Sequence, residues 1–272
     1  MRFDVEIVVP GTEGRAFAPA GVSSPQAECL GCTVSGGTVR RLVEPTSGQT
    51  ILLVTPDAPE VRFLYSFADH AGTYPEAIFH PAPSRHTRVA PALAKEARDI
   101  AGTGDGLIRA TRIARAVAER FDYGHPDQKF TDGFDHVPHL SCGLTEGSCV
   151  DIHTYFLAML RGAGIEAGYL NGYFFPETGI CTSGHCWVVT RTDGQVREWD
   201  ISHFLQIGRR DIEPALNPKG GMSIPVGHSM GLCHPKIGFA DLKLLSEPMV
   251  MRNGQPARFQ TKRIRRLLSA TC

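Results

Sequence analysis

A cysteine, a histidine and an aspartate follow one another between residues 149 and 200, each in a distinct local setting: Cys149, His185 and Asp200. Cys149 opens an apolar-periodic run in which Ile152, Phe156, Met159, Leu160 and Ala163 fall at the spacing of one helix face. Gly162 and Gly164 stop that helix, and Ser148 is placed to cap its start. Cys149 then stands in the first turn. The free N–H groups and the positive end of the helix dipole there favour a thiolate over a thiol. Taken alone, Cys149 reads more readily as a small buried core residue than as a nucleophile.

His185 and Asp200 belong to another element. Residues 185–191 read as a strand, Asp193-Gly194 is a strong two-residue hairpin signal, and residues 195–201 read as the returning strand. With Thr192 facing Gln195, Trp187 faces Asp200 and His185 faces Ser202. Side chains alternate along a strand, so His185 and Trp187 share a face, with Asp200 on it as the diagonal neighbour of His185. Such neighbours lie roughly 7–8 Å apart at the backbone, within reach of an imidazole–carboxylate hydrogen bond. A one-residue slip would put them on opposite faces. Without that register, His185 reads as a satisfied polar residue and Asp200 as a strand-end cap.

The segments Gly147-Ser-Cys149-Val-Asp, Leu160-Arg-Gly-Ala-Gly-Ile165, Gly172-Tyr173, Gly184-His185-Cys-Trp187 and Trp199-Asp200 together resemble the core of the transglutaminase-like superfamily. The resemblance runs from about Ala94 to Asp200. It includes an upstream helix ending Arg120-Phe121-Asp-Tyr123, similar to the segment before the nucleophile in bacterial members described as transglutaminase-like cysteine peptidases. It implies an α+β, papain-like fold, with the nucleophile helix packed on an antiparallel sheet, and a Cys-His-Asp triad at Cys149, His185 and Asp200.

The chemistry expected of such a triad is acyl transfer through sulfur. His185 takes the Cys149 proton, the thiolate attacks an acyl carbon, and Asp200 fixes the imidazole tautomer. Backbone N–H groups at the helix start can stabilise the oxyanion, and a side chain upstream would supply a second donor, with Gln128 and Tyr123 the candidates. Animal transglutaminases use a tryptophan there, whereas this chain has only Trp187 and Trp199. The leading expectation is therefore a peptidase or amidase acting on a peptide or other amide. Amine or acyl transfer through the same thioester is the second reading, and a degenerate, non-catalytic binding module the third.

Other candidate residues are weaker. Cys29-Leu-Gly-Cys32 has the spacing of half a zinc site, but no second pair matches it, and no thioredoxin-like pattern surrounds it. Neither metal nor cofactor is expected. Cys142 lies seven residues before Cys149 without completing such a site, and Cys181 and Cys233 are scattered. His153, one turn beyond Cys149, reads as a surface or supporting residue. Cys186 alternates away from His185 and reads as core. His228 and His234, in a Gly/Pro-rich stretch, could line the cleft.

Around this centre, 272 residues can hold one large domain or two smaller ones, and 42% hydrophobic content is enough for a core. The 28 basic and 28 acidic residues cancel, which argues against a nucleic-acid or membrane-surface role. The N-terminal Met-Arg-Phe-Asp-Val-Glu-Ile lacks a signal-peptide apolar core, and no run reaches membrane-span length. A cytoplasmic protein with mostly reduced cysteines is expected.

Residues 1–80 read as β-rich, with strand candidates at Phe3–Ile7, Gly37–Val43, Thr50–Thr55 and Val61–Phe67 forming an antiparallel sheet or small sandwich. His80–His86 reads as a linker and 87–272 as the catalytic domain. Helices are expected at Ala90–Ala101 and Leu107–Phe121, an irregular loop at His125–Leu140, and strands at Glu166–Phe175, Cys186–Thr192 and Val196–Ile201. Leu242–Leu244 could add a short strand, and the basic Arg258–Arg266 reads as a solvated helix or tail.

Overall fold

The computed structural model describes residues 2–69, 72–141, 143–177 and 183–268; Cys142 and Cys181 lie outside them. In chain order, strands β1 (Arg2–Pro10), β2 (Ala16–Pro19), β3 (Glu28–Ser35), β4 (Gly37–Val43), β5 (Thr50–Pro56) and β6 (Glu60–Ala68) precede helices α1 (Pro91–Ala101) and α2 (Gly106–Ala118). Short strands β7 (Phe121–Tyr123) and β8 (Thr145–Gly147) lead to α3 (Cys149–Gly162). Then come β9 (Glu166–Phe175), β10 (Ser183–Thr192), β11 (Gln195–Trp199) and α4 (Ile201–Gln206). The chain continues through β12 (Met222–His228), β13 (Leu232–His234), β14 (Phe239–Leu242), β15 (Met249–Arg252), β16 (Gln255–Arg258) and β17 (Arg263–Leu268).

Two compact units result, one of residues 1–81, 171–184 and 221–272, the other of 82–170 and 185–220. The division differs from a boundary between 1–80 and 87–272. The C-terminal residues 221–272 fold with the N-terminal strands, because β17 pairs with β1 and β15 with β2.

The first unit is a sandwich. One sheet runs β17-β1-β6-β3 and the other β16-β15-β2-β5-β4. Alternate residues of both, among them Val5, Ile7, Phe63, Phe67, Leu52 and Val54, meet in one core. Ile51 and Leu53 point the other way, into a second cluster with Phe17, Leu232 and Leu245. A strand covered on both faces reads as a continuous apolar run, as Ile51–Val54 does. The basic C-terminal segment is neither helix nor tail. Ile264 packs on the sandwich core, while Arg265 pairs with the buried Glu6 and Arg263 with Glu60. Alternating arginines on an edge strand look like a solvated charge run until the partner strand supplies carboxylates.

In the second unit, α3 is buried along nearly its whole length, from Cys149 to Leu160. A helix apolar on every side needs neighbours all round, and α1, α2 and α4 all pack on it. Helix α2 ends at Ala118, earlier than its apolar pattern suggests. Phe121–Tyr123 instead pairs in parallel with Thr145–Gly147, which sets Tyr123 opposite Gly147. The β10–β11 hairpin has the expected register, Thr192 opposite Gln195 and Val188 opposite Trp199. Its turn residues both adopt positive φ, 54° at Asp193 and 72° at Gly194, as a type I′ turn requires. Strand β11 stops at Trp199, short of the expected Ile201. Asp200 leaves the ladder and caps α4 instead. Among the described residues no helix is long and apolar enough to cross a membrane.

Candidate active site

The nucleophile candidate is placed by a tightly specified helix start. The Asp151 carboxylate accepts from the Ser148 backbone N–H at 3.0 Å and from its hydroxyl at 2.7 Å, closing the first turn on itself. Gly147 is required just before it. A Cβ there would lie 2.9 Å from the Phe121 ring and 3.1 Å from the Asp151 Cβ. Cys149 is the first residue of α3 and is 8% exposed. The N–H groups of that first turn have no carbonyl one turn earlier in the helix and face outward as donors.

His185 reaches this point from β10. Its Nε2 lies 2.9 Å from Asp200 Oδ2, and its ring is hydrogen-bonded to the Cys149 thiol. Because Nε2 is engaged by the carboxylate, Nδ1 is the nitrogen that meets the sulfur. Trp187 shares the face of His185, as alternation predicts, and its ring stacks at 6.0 Å. Cys149, His185 and Asp200 lie together, Asp200 by a route other than the expected one. Asp200 does not approach as a ladder neighbour. It is the N-cap of α4, where Oδ1 accepts from the His203 backbone N–H at 3.1 Å and the Ser202 hydroxyl at 3.0 Å. That leaves Oδ2 for imidazoles. Trp199 anchors the end of β11 through a 2.9 Å bond from its indole N–H to the Thr190 hydroxyl.

Three further residues complete the cluster. His203, in the first turn of α4, brings Nδ1 to 2.7 Å from Asp200 Oδ2 and stacks on His185 with centroids 4.0 Å apart. Its signal is present in the sequence: an aspartate three residues before it, opening Ile-Ser-His-Phe-Leu-Gln, is an N-cap pattern. His153 is fully buried, contrary to a surface placement, with Nε2 3.9 Å from Asp200 Oδ1. Cys186 is buried as expected, but not as inert core. Its sulfur lies 3.7 Å from His153 Nδ1 and against the Cys149 thiol. Residues 185–187 run beyond the last β11 partner at Val188.

The electrostatics follow from these contacts. The Cys186 thiol and the His185 imidazole hold the Cys149 sulfur well below the ordinary thiol range, against the opposing effect of burial. Burial disfavours a charged His185, but the Asp200 carboxylate outweighs it and pushes the imidazole up to about 9. Asp200, although buried, is held well below the usual carboxylate range by His185 and His203. His153 has no comparable support, and burial pushes it down to about 4. The centre therefore favours a thiolate–imidazolium pair over neutral partners, with His153 uncharged beneath it.

His185, Asp200 and His203 also offer nitrogen and carboxylate donors as close together as the ligands of a metal site. Their geometry suits hydrogen bonds better. Each ring already sets one nitrogen against the same Asp200 oxygen, His185 at 2.9 Å and His203 at 2.7 Å. Cys29 and Cys32 sit in β3, and burial pushes the Cys32 thiol up to about 12. His228 and His234 are buried in the other unit, His228 with Nδ1 3.0 Å from the Ser229 hydroxyl.

The two oxyanion candidates are placed differently. Gln128 is exposed in the loop after β7. Tyr123 lies in the electrostatic field of Cys149, and burial together with that sulfur raises its phenol to about 12, so it remains a donor at neutral pH.

Residues 94–199 match the family model of the transglutaminase-like superfamily. Among solved structures, a candidate cysteine protease from Cytophaga hutchinsonii is similar at a TM-score of 0.52 and 9% identity, covering 100% of this chain and 92% of that one. The periplasmic domain of TgpA from Pseudomonas aeruginosa is similar at a TM-score of 0.41 and 12% identity, covering 76% of this chain and 96% of that one. No curated protein matches the sequence.

Proposed function

We propose that this chain, whose residues 94–199 match the transglutaminase-like superfamily, is a cysteine-dependent acyl enzyme acting on amide bonds, a peptidase or amidase. The observation that carries the reading is the continuous contact from the Cys149 thiol through the His185 ring to Asp200 Oδ2 at 2.9 Å.

In this mechanism the Cys149 thiolate attacks the carbonyl carbon of a bound amide. The oxyanion is met by backbone N–H groups of the first turn of α3, with the Tyr123 hydroxyl as the side-chain donor. His185, protonated in the resting pair, gives its Nδ1 proton to the departing amine, and the C–N bond breaks to leave a thioester on Cys149. Water, deprotonated by the now neutral His185, attacks the thioester, and the carboxylic acid leaves as Cys149 returns to the thiolate. An amine in place of water would give transfer. Asp200 remains ionised throughout and holds the imidazole in plane.

The test is mass spectrometry of Cys149 after incubation with peptide pools, with and without added primary amines, using Cys149→Ala as control. An acyl adduct on Cys149 that decays to free acid is expected. An amide product in the presence of amines identifies transfer. Absence of any adduct, together with iodoacetamide labelling of Cys149 no faster than of the other cysteines, leaves the chain as a non-catalytic member of the fold.

A further inference from the structure

The acyl mechanism is complete without Cys186, yet that residue brings a second thiol to the same end of α3, 3.7 Å from His153 one turn beyond the nucleophile. The two thiols come from the tip of α3 and from β10, near enough for each to perturb the ionisation of the other. The position of Cys186 is fixed from a second side by His153, whose Nδ1 is 3.7 Å from the sulfur and which stands one turn beyond Cys149 on the same helix. The other described cysteines, Cys29, Cys32 and Cys233, all belong to the other unit.

We propose that Cys186 is the resolving cysteine of this site: once a peroxide has oxidised Cys149, Cys186 captures it as a Cys149–Cys186 disulfide, closing the nucleophile reversibly. The inference rests on the nucleophilic character given to Cys149 above.

The chemistry divides between the two sulfurs according to their surroundings. Cys149 is the more exposed, 8% against 2%, and the one held as thiolate, so it is the sulfur that an incoming peroxide meets. Its electron pair attacks one peroxide oxygen, the O–O bond breaks, and the sulfur becomes a sulfenic acid while hydroxide leaves and takes up a proton. Burial keeps Cys186 a thiol until that moment. Its sulfur then attacks the sulfenic sulfur, the S–O bond breaks, and a second water leaves as the S–S bond forms. Two electrons, one from each sulfur, have reduced one peroxide to two waters.

The proton on Cys186 has an acceptor in place. His153 sets Nδ1 3.7 Å from the Cys186 sulfur, and in the tautomer that carries its proton on Nε2 that nitrogen accepts the thiol proton. This gives the buried, uncharged His153 a role that the acyl mechanism does not supply.

The experiment uses the full chain treated with hydrogen peroxide, followed by peptide mapping without reduction and by iodoacetamide counting of free Cys149 after dithiothreitol. The expected result is a linked pair of peptides holding Cys149 and Cys186, lighter by the two thiol hydrogens, with full recovery of alkylatable Cys149 on reduction. In Cys186→Ser and Cys186→Ala, the same treatment should give sulfinic acid at Cys149 and a permanent loss of alkylatable thiol. Cys149 sulfinic acid in the wild type with Cys186 still free, a disulfide to another cysteine, or a Cys149 that peroxide does not oxidise overturns the proposal. Because the readout is covalent mass and not turnover, it is separable from the acyl reading. Rapid alkylation of Cys149 without a Cys186 crosslink sinks only the resolving role.

Discussion

The imidazole of His203 lies flat on that of His185, centroids 4.0 Å apart and planes within 5°, and both rings reach the same oxygen of Asp200. Two stacked imidazolium ions would repel. The charges are instead divided, because burial lowers His203 while Asp200 raises His185 to about 9. His203 is therefore a neutral N–H donor that helps hold the carboxylate in position for its charged neighbour. A hydrogen bond to an ionised group is worth about 1.5–3 kcal/mol, so His203→Ala should lower kcat by at least about tenfold. KM should be unchanged, because His203 acts through Asp200 and not on substrate. His203→Asn, which keeps a donor, should recover part of the loss. An unchanged kcat in His203→Ala would falsify this positioning role.

The pH profile should be bell-shaped. Activity needs Cys149 deprotonated and His185 protonated. The acid limb therefore lies below the ordinary thiol range, since Cys186 and His185 lower Cys149, and the alkaline limb lies at about 9, where His185 gives up its proton. Asp200→Asn removes the charge that raises His185, so the alkaline limb should move down. His185→Ala should move the pH midpoint for iodoacetamide alkylation of Cys149 upward. Stopped-flow alkylation across pH reads both, and a midpoint in the ordinary thiol range in the wild type would contradict the pairing.

Stability should depend on pH through His153. Its folded-state value of about 4 lies below that of the unfolded chain, so its contribution is present above about 6.5 and is lost as pH falls through about 4. A depression of that size amounts to about 3 kcal/mol below pH 4, an order-of-magnitude figure. His228, also pushed down to about 4 by burial, acts with the same sign in the other unit. Urea titrations at a series of pH values should therefore show a shallower acid loss in His153→Gln than in wild type. Parallel curves for the two proteins would remove His153 from the account.

Much of the site is legible in the sequence because short-range rules fix it. Asp193-Gly194 sets the hairpin register, and Ser148 sets the start of the nucleophile helix. The exit of Asp200 from the strand is harder to read, since an aspartate ends a strand or caps a helix equally well, and only the stretch after it decides. Alternation marks Cys186 as buried but not what buries it, because its neighbour His153 comes from α3, more than thirty residues earlier. The C-terminal strands are hidden for another reason. Arg263 and Arg265 resemble a solvated tail unless Glu6 and Glu60, more than two hundred residues earlier, are placed beside them. Long-range pairing of this kind leaves no local signature.

The hairpin turn offers a stability test remote from the chemistry. Gly194 adopts φ 72°, and a side chain there meets nothing within 4 Å, so strain and not crowding sets the cost of replacing it. Gly194→Ala should destabilise by about 1 kcal/mol, the usual penalty for an L-residue in the left-handed region. Gly194→Asn should cost less, because asparagine tolerates that region better. Denaturant midpoints of the two variants give the comparison, and equal midpoints for alanine and wild type would contradict the type I′ assignment.

Gly147 makes the opposite case, crowding without an unusual φ. An added methyl would sit 2.9 Å from Phe121 Cδ1 and 3.1 Å from Asp151 Cβ, both fixed by the β7–β8 pairing and the first turn of α3. Neither neighbour can retreat freely, since Phe121 is fully buried and packs edge-on against Tyr155 at 5.5 Å. Gly147→Ala should therefore cost about 1–3 kcal/mol as overpacking. The same displacement falls on the residue two before the sulfur, so alkylation of Cys149 should slow even in the fraction that remains folded. Measuring both on one sample separates the effects. A variant that loses stability while alkylating at the wild-type rate would show that the helix tip tolerates the shift, and that the position of Cys149 does not depend on Gly147.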